Sequence, residues 1–372
     1  MIIYISNSYY PSVEANLVHV LNQVHALKKI NHNVKLVLVS SLCKEEIVKS
    51  IFINYGLNFE FNNFLIYNSK SAKFKELKSL ILGLFFICFN FKSVNFIISR
   101  NLFFSFFYFG SNLISEFHTI YNSIIRSTFQ NIIIKRKYQK NIFISKRLFY
   151  YLSLKDNFSN HLILHDAATK QEDCLLNSKI TREYVSSFFL KDQYLCLYSG
   201  SLHEGRGIDV IIYLANENPD INFLIIGHLN PENSFLNSDN IYFLGYVPYI
   251  DIRSYLMISD VLLMPYQNKV SINVKGQDTS KWMSPLKLFE YMSVMKPIIS
   301  SNLPVLREIL KSNNNCKLVK FNSHSDWNSA INFIKNNPDY SRELGKNAYI
   351  DFNSNYTWDI RALRIFNFFY EI

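Results

Sequence analysis

Two short stretches hold the residues best suited to chemistry. In YSGSLHEGRGID (198–209), Gly200, Gly205 and Gly207 make a permissive turn between a strand pattern and a helix pattern. Such a turn brings backbone N–H groups up to an anion at a helix N-terminus. Arg206, in the same turn, can grip a phosphate in bidentate fashion. The spacing is neither that of a Walker P-loop nor GxGxxG, and a plain turn is the alternative reading. In SPLKLFEYM (284–292), Ser284 then Pro285 reads as a helix cap and a first helical residue. Lys287 therefore falls in the first turn, at the positive end of the helix dipole. That suits a cation only if an anion lies between the two. Two helix starts, one bearing Arg206 and one bearing Lys287, can share one diphosphate. Glu290, about one turn deeper on the same face, can accept hydrogen bonds from sugar hydroxyls. The alternative is that Lys287 is merely exposed and Glu290 is a surface or paired charge.

The elements that must position these residues alternate along the chain. Strand candidates in the first half are 1–6, 33–39, 94–98, 112–116, 141–145 and 161–164, with helical patterns between them. Their apolar runs lack strict alternation, which suits strands covered on both faces of a parallel sheet. Residues 168–192 break the rhythm and read as a connection between domains. The rhythm restarts at 194–200 and continues with strands at 221–226, 240–244, 260–264, 297–300 and 317–320. This predicts two consecutive doubly wound α/β domains, 1–167 and 193–352. Ligands bind at the carboxyl ends of such strands, and the cleft between two such domains is the expected site.

The chain has 372 residues, 49% of them hydrophobic and 18% charged, a globular composition. Five scattered cysteines without CxxC or metal spacing read as free thiols of a reducing compartment. The start of the chain reads as a buried strand, not a signal peptide. The apolar run 80–91 is shorter than the roughly 20 residues a membrane span needs. Charge is uneven. Residues 1–165 hold 19 Lys/Arg and 7 Asp/Glu, or +12, whereas the whole chain is +10, leaving −2 for the rest. Much of the excess clusters at Arg126, Lys135, Arg136, Lys137, Lys140, Lys146 and Arg147. It points to an anionic partner for that half, or to a solvated basic face.

Nearly the whole chain resembles the GT-B retaining glycosyltransferases of family 4, also called glycosyl transferases group 1. GSLHEGRGID, PDINFLIIG (219–227), NIYFLGYVP (240–248), SDVLLMPY (259–266) and above all MSPLKLFEYMSVMKPIISSNLPVLREIL (283–310) resemble successive parts of the family's C-terminal domain. SRN (99–101), SEFH (115–118) and LHDAA (164–168) resemble its N-terminal domain more weakly. YTWDIRALRI resembles the helix that returns to that domain, here within 353–372. The resemblance implies two Rossmann-like domains facing a central cleft. It implies that Arg206 and Lys287 grip the donor diphosphate and that the Ser284–Pro285–Leu286 backbone meets it. Gly200 and Ser201 fall in the first donor turn, and Gly245 and Tyr246 in the base-binding region. Glu290 falls at the second Glu of the E-x7-E pattern, which binds ribose, and His118 falls near the transferred sugar. Trp282 stands where the first Glu belongs, with Asp278 a candidate substitute. Ser201 replaces a frequent basic residue.

The implied reaction moves a sugar from a UDP- or GDP-linked donor to a glycan or polyprenyl-linked acceptor, with retention of configuration, in bacterial surface polysaccharide assembly. No DxD-like pair stands out, so no metal and no further cofactor is expected. Nor is a nucleic-acid partner expected. The basic half and the aromatic-rich 80–109 region fit a cytoplasmic enzyme docked on the inner membrane face, although the aromatic runs also read as buried helices. A GT-B sugar-nucleotide 2-epimerase and a non-catalytic partner subunit are the competing readings. Trp282 and Ser201 motivate the latter.

Overall fold

The computed structural model describes residues 1–153, 160–227, 239–271 and 278–371. Ile372, at the end of the expected returning segment, lies outside the described residues. The chain divides into two compact units: Met1–Ala167 with Thr357–Ile372, and Ala168–Tyr356.

The first unit is built on a parallel sheet of β1 (Ile2–Tyr10), β2 (Val34–Ser40), β3 (Phe64–Asn68), β4 (Phe96–Ser99), β5 (Leu113–Phe117), β6 (Lys140–Phe143) and β7 (His161–Ile163). Their order is β3-β2-β1-β4-β5-β6-β7. The direction of winding therefore reverses between β1 and β4, where an open α/β sheet offers a crevice. The central strands are buried apolar runs, as strands covered by helices on both faces must be. The edge strand β3, FLIYN, has no counterpart among the expected strands. Only Phe64 in it is buried, so its hydrophobic signal is weak.

The helix Trp358–Tyr370 belongs to this first unit and packs on the helix Ala15–Ile30. Thr357 caps it through the N–H of Ile360. Lys29 meets Asp359 at 3.2 Å, Phe369 stacks on Phe96, and Arg361 enters the core at 1% exposure.

The second unit holds β8 (Tyr194–Ser199), β9 (Ile221–Ile226), β10 (Ile241–Gly245), β11 (Val261–Met264), β12 (Ile298–Ser301) and β13 (Lys317–Val319), all parallel. The order β10-β9-β8-β11-β12-β13 puts its reversal between β8 and β11. In the stretch expected to be a connection, the short helix Arg182–Ser186 buries Val185 in this unit's core.

Two expectations about the first unit change. The aromatic helix Lys75–Asn90 is buried on one side only, through Leu80 and Ile87 among others. Leu77, Ile81, Phe85 and Phe89, four residues apart, are exposed. The basic cluster is also not all surface. Arg136 is buried and donates to the carbonyls of Ser105, Phe106 and Tyr108, closing the end of the helix Leu102–Phe107. Lys140 donates to the carbonyl of Phe368. Among the described residues no helix is long and apolar enough to cross a membrane.

Candidate functional site

In the second unit the crevice between β8 and β11 collects the predicted phosphate residues. β8 ends at Ser199, and Gly200 follows with φ +146°. A Cβ on Gly200 would lie 2.5 Å from Lys287 Nζ, so a glycine is needed for the amine to lie there. A Cβ on Gly227 would lie 1.9 Å from the Gly200 carbonyl oxygen. Gly227 in turn donates its N–H to the carbonyl of Gly245 at 2.9 Å. The ends of β8, β9 and β10 are thus drawn side by side.

Lys287 is 8% exposed, and its Nζ has no hydrogen-bond partner. It lies 3.9 Å from the centre of the Tyr198 ring and 5.0 Å from that of Tyr266. Arg206 Nη1 donates to the Tyr266 hydroxyl at 2.9 Å, and its buried Nε is unpartnered. Burial, then the nearby Arg206, drives the Lys287 amine well below its usual range, with Glu290 pulling the other way. Two basic groups therefore converge where, among the described residues, no carboxylate bonds them. A buried charge is costly until it is paired, so this pocket is electrostatically incomplete without an anion.

Glu290 is half-buried. Burial raises its carboxyl to about 7, against the opposing pull of the Tyr249 hydroxyl, Lys287 and Arg253. The helix that carries it spans Leu286–Met292, with Pro285 as its cap residue. The expected Ser284 cap is thus displaced by one residue. Pro285 is extended (ψ 125°), and its carbonyl accepts the first helical bond, from Leu288 N–H at 3.0 Å. Ser284 is buried just before it.

The other residues expected at the donor site have local duties. Asp278 Oδ1 accepts from the N–H groups of Val270 and Ser280, each at 2.9 Å, and staples its loop. Trp282 N–H donates to the Thr279 carbonyl at 3.1 Å. The Ser201 carbonyl accepts from the Tyr198 hydroxyl at 2.7 Å. Gly245 has φ +78° with open space where a Cβ would be, and Tyr246 beside it is exposed. Sequence reasoning did not single out Tyr198, Tyr249 and Tyr266. Tyr198 is the penultimate residue of β8 and Tyr266 lies two residues past β11, positions at the carboxyl ends of strands that could have flagged them.

His118 lies in the first unit, just past β5. Its Nε2 is 2.9 Å from Glu116 Oε1. Glu116 also receives the Tyr4 hydroxyl at 2.9 Å and the Arg361 guanidinium, while His19 Nδ1 lies 2.6 Å from Asp166. Burial and Arg100 push the His118 imidazole down to about 3 against the pull of Glu116, so it is neutral near pH 7. Burial raises the Glu116 carboxyl, but Arg361, His19 and His118 outweigh it and hold it well below the usual range. His19, Glu116 and His118 have ligand atoms within 4.8 Å of one another. Arg361 already occupies that carboxylate, and Arg100 adds positive charge, so the trio fits a hydrogen-bonded network and not a metal centre.

The topology and crevices define a GT-B protein, and solved structures bear this out over the full length. Sucrose-phosphate synthase from Thermosynechococcus elongatus is 14% identical, with TM-score 0.72, covering 100% of this chain and 98% of that one. HepE of Anabaena, solved in complex with UDP-glucose, is 11% identical with TM-score 0.69, covering 100% and 99%. WaaG, a glycosyltransferase involved in lipopolysaccharide biosynthesis, is 10% identical with TM-score 0.65, covering 98% and 98%. These likenesses are of fold. No curated protein matches the sequence. Residues 181–351 match the family model of glycosyl transferases group 1. The match spans 171 of the 372 residues and lies within the second unit, so it is that unit which is similar to the family.

Proposed function

We propose that the protein transfers a sugar from a UDP- or GDP-linked donor to a glycan or polyprenyl-linked acceptor, with retention of configuration, in bacterial surface polysaccharide assembly. The second unit is the donor half and the first the acceptor half. The observation that carries this is the pair Arg206 and Lys287, two converging basic groups that no carboxylate among the described residues bonds, beside Gly200 and Gly227.

The diphosphate gains charge as the bond between the anomeric carbon and its oxygen breaks. Arg206 and Lys287 are placed to stabilise that charge in a dry, preorganised setting. With cations in this role the leaving group needs no metal. The Ser284–Leu286 backbone lies at the same helix start, and Glu290 is the acceptor for ribose hydroxyls. Gly245 and Tyr246 offer an open edge for the base. His118, neutral and half-buried, is suited to hydrogen-bond the transferred sugar. Asp278 has one carboxylate oxygen committed to its own loop, which leaves the other for a ligand in place of the Glu absent at Trp282.

HepE with UDP-glucose and WaaG in lipopolysaccharide biosynthesis support the donor class and the pathway by likeness of fold. The exposed apolar face of Lys75–Asn90 supports a cytoplasmic enzyme lying on the inner membrane surface. Product analysis tests the reaction. UDP or GDP should be released together with a glycosylated acceptor. An isomerised nucleotide sugar, or no turnover by the chain alone, would overturn this reading.

A further inference from the structure

In the first unit a small cavity opens where the sheet reverses, at the carboxyl ends of β4 and β5. Its lining includes Asn7, Ser99, Arg100, His118, Thr119 and Tyr121. Arg100 is 9% exposed, and its Nη1 is buried without a hydrogen-bond partner. No carboxylate among the described residues pairs with it. Glu116, the acid of the cavity wall, is taken by Arg361, His118 and Tyr4. Arg126, the next cation, is paired with Glu76 at 3.0 Å and bonds Tyr121. Asn7 Oδ1 accepts from Asn16 at 3.0 Å, leaving its amide nitrogen as a further donor.

A buried lysine can shed its proton, but a guanidinium cannot. Arg100 therefore carries a full charge into a polar cavity where, among the described residues, no carboxylate pairs with it and its buried Nη1 has no partner. Burial of that kind is tolerated when a ligand completes the pair. We propose that Arg100 anchors an oxyanion site for a phosphate or carboxylate on the acceptor, resting on the reading of the first unit as the acceptor half. The planar fork of Arg100 takes two oxygens of the anion, and the Asn7 amide adds a third donor. The neutral His118 on the same wall leaves the anion's charge to Arg100. The cations proposed for the donor diphosphate, Arg206 and Lys287, belong to the second unit, whereas Arg100 belongs to the first. The acceptor is accordingly an acidic or phosphorylated sugar, not a neutral one.

Because phosphate also fits at Lys287, the test is made in the Lys287→Met background. That protein is titrated by calorimetry with inorganic phosphate and, separately, with glucuronate. Binding of phosphate alone marks a phosphorylated acceptor, and binding of glucuronate marks a uronate-type one. Adding Arg100→Gln should weaken that binding by at least about tenfold, while Arg100→Gln alone leaves UDP affinity unchanged. The melting temperature of the ligand-free protein should hold or rise on Arg100→Gln, since an uncompensated charge is removed. A fall would mean that Arg100 is a structural counter-charge and would overturn the site. So would binding of neither anion, or equal binding with and without Arg100. Failure of UDP to bind the unaltered protein would instead strike the donor reading and leave the Arg100 comparison standing.

Discussion

Lys287 and Glu290 lie one turn apart and carry opposite liabilities. Lys287 is a buried amine without a partner, so Lys287→Met removes a desolvation cost from the ligand-free protein and the diphosphate's counter-charge from the reaction. We expect an unchanged or higher melting temperature together with a transfer rate lower by about 10²–10³-fold, read from initial rates of nucleotide release. Glu290 titrates near 7, against 4.5 in the unfolded chain. A raised acid stabilises the fold below the unfolded value and loses that contribution as pH climbs through the folded one. Glu290→Gln should therefore be neutral for stability below about pH 4.5 and increasingly stabilising towards pH 7 and above, as followed by melting temperature against pH. Both residues were legible in SPLKLFEYM, because their spacing on a helix is a local property. Their aromatic surroundings were not. Tyr198, Tyr249 and Tyr266 reach them from other elements.

The helix Trp358–Tyr370 depends on Arg361 for its attachment. Arg361 donates to Gln23, to the His165 carbonyl and to Glu116, all within the first unit. Arg361→Met leaves Glu116 buried without its strong partner, which should cost about 3–5 kcal/mol. In urea unfolding the loss should fall on the first unit's transition and leave the second unit's in place. The central strands and most helices were readable from apolar runs and helical periods. The edge strand β3 was not, because four of its five residues are only partly buried or exposed. The cap at Pro285 was read one residue early. Ser-Pro fits two helix starts equally well, and only the bond from Leu288 to the Pro285 carbonyl selects between them.

Across the molecule, the basic excess and an uncovered apolar face fall on the same unit. Leu77, Ile81, Phe85 and Phe89 are exposed along one helix, and Ile124, Ile125 and Ile132 along the helix Ile124–Ile134. Lys73, Lys92, Lys135 and Lys137 are exposed on the same segments or at their ends. An apolar strip with lysines around it suits an anionic bilayer surface. The protein should sediment with vesicles rich in phosphatidylglycerol and not with neutral ones. Salt should weaken the binding, and Phe85→Asp with Phe89→Asp should abolish it while UDP affinity is kept. The amino-acid sequence by itself determined the two parallel α/β units, the likeness of the second unit to group 1 glycosyl transferases, the uneven charge and the local spacing of Gly200, Arg206, Lys287 and Glu290. Each of these is written in local pattern or composition. Tertiary structure alone decided which charges lack partners, because that depends on what distant segments bring alongside. Arg136 and Arg361 acquire carbonyl or carboxylate partners, and the cluster at 126–147 becomes partly structural. Among the described residues Arg100 and Lys287 acquire none, and those two unpaired basic groups are where the anion sites are proposed.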